Sequence, residues 1–106
     1  MSNHLDPKDA DEFASWFRCL ADGTRLRVLH TVASAAEPLT VGEIVEIVGK
    51  SQSTVSKHLQ ILMSQKFVIA EPDGIRTLVR VNRNCMTMLP AAAAAVMAAD
   101  ADGEDS

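Results

Sequence analysis

Apolar residues in the first third of the chain recur at helical spacing. Phe13, Trp16, Phe17 and Leu20 fall at i, i+3, i+4 and i+7, which predicts one amphipathic helix. It opens at Asp6-Pro7, where a carboxylate can cap free amides and a proline suits the first helical position. Gly23 interrupts the pattern. Leu26, Leu29, Val32 and Ala33 resume it up to about Ser34, with Asp22 as the cap of a second helix. Glu37-Pro38 reads as a loop. Thr40-Val41-Gly42-Glu43 then has the S/T-x-x-E form of a capping box, so a third, short helix starts at Val41, carries Ile44, Val45, Ile47 and Val48, and stops near Gly49. Ser51 caps a fourth, whose apolar positions Val55, Leu59, Leu62 and Met63 are again helical.

Beyond Met63 the period changes. Phe67, Val68 and Ile69 run into the turn signal Pro72-Asp73-Gly74, and Leu78, Val79 and Val81 return, which predicts a β-hairpin. The chain closes with Thr87-Met88-Leu89-Pro90 and an alanine-rich run to Ala99. This reads as a fifth helix capped by Thr87, since Pro90 is tolerated best in a first turn. The expected fold is mainly α with a small β-hairpin. A flexible N-terminus (1–6) and an acidic, disordered tail (100–106) flank one folded unit over 7–99.

Two helices separated only by Gly49-Lys50-Ser51 have the dimensions of a helix-turn-helix, and the hairpin after them is placed as a wing. Charge tests that reading, because the 106-residue chain has a formal net charge of −4. The charge is uneven. Residues 1–22 carry two basic against five acidic side chains, and residues 84–106 carry four acidic ones and no Lys or Arg. Residues 23–83 hold eight basic against five acidic, a basic middle suited to facing phosphate. A hydrophobic content of 47% excludes wholesale disorder. No apolar run of about 18 residues is available to span a bilayer. The polar, acidic start lacks the features of a secretory signal, which points to the cytoplasm.

Reading a major groove needs short or flexible donors and acceptors on the first turns of a helix. Residues 51–60, SQSTVSKHLQ, supply them. Gln52 can bond adenine bidentately, and Ser51, Ser53, Thr54, Ser56 and Gln60 can contact bases or phosphates. Lys57 can neutralise a phosphate or bond guanine, and His58 can donate to either. Arg76, just past Gly74, can place a guanidinium in the minor groove or on a phosphate. The alternative is an ordinary solvated face of an amphipathic helix. No nucleophile-base spacing, phosphate loop or carboxylate pair marks an enzyme.

FRCLADGTRLRVL (17–29), LTVGEIVEIVGKSQSTVSKHLQIL (39–62) and the hairpin through Val81 resemble the ArsR/SmtB family of bacterial repressors. The resemblance spans roughly residues 13–83. It implies a winged helix-turn-helix, a homodimer built through the first and last helices, and an inverted-repeat operator in double-stranded DNA, released when a ligand arrives. The residues agree on the dimer: Leu89 and Val96 on a short alanine-rich helix have little to pack against, so pairing with the Phe13 and Trp16 surface of a partner is reasonable. Packing on the second helix of the same chain is the alternative.

Many members of that family sense metals through cysteines at the start of the helix-turn-helix or through His and carboxylates on the last helix. Here residues 39–48 contain no Cys or His, which speaks against As or Cd. Cys19 reads as a core thiol, and Cys85 as a thiol without an obvious activating partner. With Met1 removed, Ser2-Asn3-His4 would offer four nitrogens in a plane, an arrangement suited to Ni(II) or Cu(II). A second version joins His4 to Asp6, Asp9, Asp100 or Asp102 around Ni(II) or Zn(II), should the chain ends meet at the dimer interface. The sequence therefore predicts a DNA-binding regulator responsive to a divalent metal. Its alternatives are a thiol-responsive or constitutive regulator, and a winged-helix module that binds protein rather than DNA.

Overall fold

The computed structural model describes residues 4–98. The expected elements at 1–3 and 99–106, including the tail with Asp100 and Asp102, lie outside the described residues. The order is α1 (Pro7–Cys19), α2 (Gly23–Ser34), β1 (Leu39–Thr40), α3 (Val41–Val48), α4 (Gln52–Ser64), β2 (Val68–Asp73), β3 (Arg76–Val81) and α5 (Arg83–Val96).

The first four helices begin where their caps predict. Asp6 accepts from the amide of Lys8, Asp22 from Arg25 and Ser51 from Thr54, each satisfying an amide that has no partner within its helix. At α3 the capping box is closed in both directions: the Glu43 amide donates to Thr40 Oγ1 at 3.1 Å, and the Thr40 amide donates to Glu43 Oε1 at 2.8 Å. Gly49 ends α3 with φ 77°, a left-handed conformation that only glycine adopts without cost. Reversing the chain there sends α4 off at an angle from α3 after three residues.

The hairpin is the sheet's main pair. Val68 lies opposite Val81 and Asp73 opposite Arg76, leaving Gly74-Ile75 as a two-residue loop with φ 65° at Gly74. The strands therefore run through Pro72 and Asp73, which the sequence assigned to the turn. Pro72 is tolerated because β2 is an edge strand: the sheet order is β1-β3-β2. The sequence reading missed β1, two residues paired with Val79 and Leu78 that tie the loop before α3 to the wing.

Val28, Val32, Ile44, Val48, Val55, Leu59, Leu62, Phe67, Val68 and Val79 form the core, drawn from α2, α3, α4 and the hairpin. The terminal helices pack on it by one side only, through Trp16, Cys19, Leu20, Cys85 and Leu89. Most of the remaining large apolar surface lies on or beside those two helices: Leu5, Phe17, Met86, Met88, Val96 and Met97 are all exposed. The molecule measures 53 × 25 × 24 Å, and its radius of gyration of 15.9 Å exceeds the roughly 13 Å of a globule this long.

The last helix departs from its expected start. It begins at Arg83, capped by Asn82, whose side chain accepts from the Asn84 amide at 3.2 Å, so Thr87 is inside the helix rather than its cap. Pro90 sits in the helix interior. The carbonyl that its missing N–H leaves unserved belongs to Met86, which is 50% exposed, so water can take the place of the lost donor.

Candidate nucleic-acid interface

The geometry of α4 follows from its period. Val55, Leu59 and Leu62 are buried against the core. At 3.6 residues per turn, Ser53, Lys57, Gln60 and Ser64 must then lie on the opposite side, and all four are exposed. Ser51 and Gln52 are exposed at the start of the helix, while Thr54 and Ser56 sit half-buried on its flanks. Ser51 Oγ caps the Thr54 amide at 3.2 Å and donates to Thr54 Oγ1 at 2.9 Å, so the first turn presents a small cluster of hydroxyls. Lys57 stands in the middle of this face and, among the described residues, takes part in no ion pair, which leaves its charge available to an external anion.

His58 is not part of that face. Its side chain is only 12% exposed. Nδ1 accepts from Arg25 Nε at 3.3 Å, and Nε2 lies 3.9 Å from Asp22 Oδ1. The spacing contained the signal: His58 is three residues after Val55 and four before Leu62, both core positions, so it sits half-buried toward the core. Asp22 carries a carboxyl held below its ordinary range, chiefly by the Arg25 amide it caps, against an opposing desolvation and with the Arg25 guanidinium adding to the lowering.

The wing carries its own counter-charges. Arg76 Nη2 is 2.9 Å from Asp73 Oδ2, and Arg80 Nη2 is 3.1 Å from Glu71 Oε2. Both pairs are well exposed, so either arginine can exchange its carboxylate for a phosphate at little cost. Ile75 stands fully exposed at the wing tip.

Two residues expected to pair with a partner chain are engaged at home. Trp16 and Leu89 are half-buried and line a cleft of about 330 Å³ between α1, the α4–β2 turn and α5, together with Phe67, Cys85 and Met88. Phe13 packs on Trp16 with ring centroids 5.4 Å apart. They meet in one chain because α1 and α5 both have to cover the Phe67 end of the core. Val96 is exposed as expected, and the outward apolar surface is instead that of Leu5, Phe17, Met86 and Met97.

Of the metal ligands expected from the sequence, only His4, Asp6 and Asp9 lie among the described residues. Asp6 spends an oxygen on the Lys8 amide at 3.0 Å, and among the described residues no three His, Cys, Asp or Glu side chains gather as a group. Asp100, Asp102 and the Ser2-Asn3 segment lie outside the described residues. Burial pushes the Cys19 thiol up, with Arg25 opposing and Cys85 adding to the effect; burial likewise pushes up Cys85. Cys85 Sγ donates to the Lys66 carbonyl at 3.1 Å, an oxygen that also accepts from Asn82 Nδ2 at 2.9 Å. Both cysteines are therefore protonated thiols at neutral pH.

A short helix, a three-residue turn, a second helix with an exposed polar face and an adjoining hairpin define a winged helix-turn-helix protein. Residues 22–70 match the model of the bacterial regulatory protein arsR family. Over those residues the chain is similar to that family. It is 34% identical over 76 residues to the HTH-type transcriptional regulator Rv2034 of Mycobacterium tuberculosis, covering 72% of this chain and 64% of that one. It is 42% identical over 64 residues to a probable mercury resistance operon repressor of Streptomyces lividans, covering 60% of this chain and 50% of that one. The matched part thus spans about half to two thirds of these curated relatives. Among solved structures, a homodimeric winged helix-turn-helix DNA-binding domain from Mycobacterium bovis, described as a possible ArsR-family transcriptional regulator, superposes with a TM-score of 0.69 at 29% identity, covering 92% of this chain and 90% of that one. The named relatives are regulators of transcription, not enzymes. Among the described residues no helix is long and apolar enough to cross a membrane.

Proposed function

We propose that this chain is a transcriptional regulator that binds an inverted-repeat operator in double-stranded DNA as a homodimer. The observation that carries the reading is the exposed stripe Ser53, Lys57 and Gln60, set opposite a buried Val55, Leu59 and Leu62 and holding an unpaired cation at its centre. Such a helix presents hydrogen-bonding groups and a charge to a groove while its other side fixes it to the core. Arg76 and Arg80 flank it as the wing's contribution. Dimerisation rests on the apolar surface of α1 and α5 and on the homodimer named for the Mycobacterium bovis relative.

Sequencing of genomic fragments captured by the purified protein tests the proposal. The expected result is an enriched inverted repeat, bound as a dimer with a strong dependence on salt. A protein that elutes from heparin at low salt and enriches no sequence is a protein-binding module instead. A metal as effector has two supports, the mercury resistance named for the Streptomyces relative and the His4 end of this chain. The described residues assemble no ligand set, so such a site needs donors from outside them or from a second chain. Calorimetry with Ni(II) and Zn(II) decides it: a heat that disappears in His4→Ala supports a metal site, and identical titrations remove the metal from the reading.

A further inference from the structure

Among the described residues no side chain classed as polar or charged is fully buried, yet one polar node reaches deep between the helices. Its centre is Arg25, in the first turn of α2. Arg25 Nη1 donates to the carbonyl of Cys19, the last residue of α1, at 2.6 Å. Its Nε donates to Nδ1 of His58 on α4 at 3.3 Å, and its backbone amide donates to Asp22 Oδ1 at 2.9 Å. A guanidinium has only donors, so Nδ1 of His58 must be unprotonated to accept. The proton of the neutral imidazole is then on Nε2, the nitrogen that faces Asp22.

Apart from a long contact of Cys19 Sγ with the Ile61 carbonyl at 3.9 Å, the rest of the hold on α4 is different in kind. Val55, Leu59 and Leu62 bind through apolar burial, which has no direction, and they resist rotation of the helix about its own axis only through the shape of their packing. A hydrogen bond to an imidazole has a direction. Turning α4 by about 20° would carry the tips of Gln52, Ser53 and Lys57 roughly 2 Å along the groove, enough to break a base contact.

We propose that His58 is a positioning residue for DNA recognition: fixed as the Nε2–H tautomer by Arg25, it sets the rotation of α4 against the α1–α2 junction. This rests on the reading of α4 as the recognition helix. Because Arg25 also holds the end of α1, any movement of that helix is passed to α4 through the same side chain.

The tautomer is read on the free protein from the ¹⁵N shifts of the imidazole at neutral pH. A protonated Nε2 and a bare Nδ1 are expected, and a proton on Nδ1 overturns the proposal. Operator binding is then compared for wild type, His58→Ala and His58→Asn, each at a temperature where its melting curve shows it folded. Asparagine places Oδ1 where the imidazole has Nδ1, so His58→Asn should stay within about threefold of wild type while His58→Ala loses about tenfold. The dependence of log K on log salt should keep its slope. A slope shallower by about one per chain would mean that His58 contacts a phosphate directly and would overturn positioning. So would equal affinities of wild type and His58→Ala. If His58→Ala does not fold, the tautomer and His58→Asn still decide. Wild type that binds no operator overturns the functional reading, and this inference with it, whereas wild type that binds beside an equally tight His58→Ala overturns this inference alone.

Discussion

Replacing Lys57 by alanine is the sharpest test of where the DNA lies. Its ammonium is exposed at the centre of the α4 face and, among the described residues, makes no ion pair, so its removal breaks none there. Each phosphate contact contributes about 0.9 to the slope of log K against log salt, through release of condensed counterions. A dimer presents two copies of Lys57. The variant should therefore show a slope shallower by about 1.8 and, at about 0.1 M salt, a binding constant lower by about 60-fold. Fluorescence anisotropy of a labelled operator fragment between about 50 and 200 mM salt measures both. Lys8→Ala on α1 is the control, removing one exposed cation from outside the proposed interface. If Lys57→Ala keeps the wild-type slope, or Lys8→Ala changes it equally, α4 does not lie against the phosphates.

Leu62 is fully buried among core side chains, so Leu62→Ala should cost about 3 kcal/mol, read as a lower urea midpoint at fixed protein concentration. Thr40→Ala opens the capping box of α3 and should cost about 1 kcal/mol, while Thr40→Ser, which keeps the hydroxyl, should cost little; equal losses would assign the effect to β1 instead. Cys19 and Cys85 have raised thiol pKa values in the folded state, so they hold protons more tightly there than in the unfolded chain. Their contribution to stability is present at neutral pH and is lost as pH rises above the ordinary thiol value toward the raised one. Alkylation at neutral pH should accordingly be slow in native protein and fast in denaturant, and rapid labelling of native Cys19 would contradict its burial.

Much of this architecture was legible because each helix start is written as a cap. Asp6, Asp22, Thr40 and Ser51 are residues whose side chains satisfy amides locally, so four starts could be placed without any tertiary information. What was misread depends on contacts distant in the chain. The two residues of β1 have no strand signature of their own and are ordered by pairing with β3. The start of α5 was obscured by Pro90, although Cys85, Leu89, Ala92 and Val96 carry a helical period across it. At the site, composition marked the segment 51–60 but not its orientation. Of the eight residues singled out there, five are exposed and Thr54, Ser56 and His58 are half-buried, His58 being engaged by Arg25. Trp16 and Leu89, expected at a dimer interface, are partly buried against the core of their own chain.

The net charge of −4 does not by itself argue against the proposed DNA binding, because it is unevenly placed, with Glu12 of α1 lining a cleft at the end of α4 that follows Lys57. Glu12 lines the cleft beside Ser64, Gln65 and Lys66, the far end of α4. Seven residues of helix separate Lys57 from Ser64, roughly 10 Å, which is about one Debye length at physiological salt. Asp6, Asp9 and Asp11 lie earlier in α1, whose other end is held against α4 through the Cys19 Sγ contact with the Ile61 carbonyl at 3.9 Å. The charges that a phosphate meets first are those of Lys50 and Lys57, with Arg76 and Arg80 on the wing. On the proposed reading solvent ions weaken the field of the acidic end at the DNA, and in a dimer joined through α1 and α5 that end would lie toward the partner rather than the duplex.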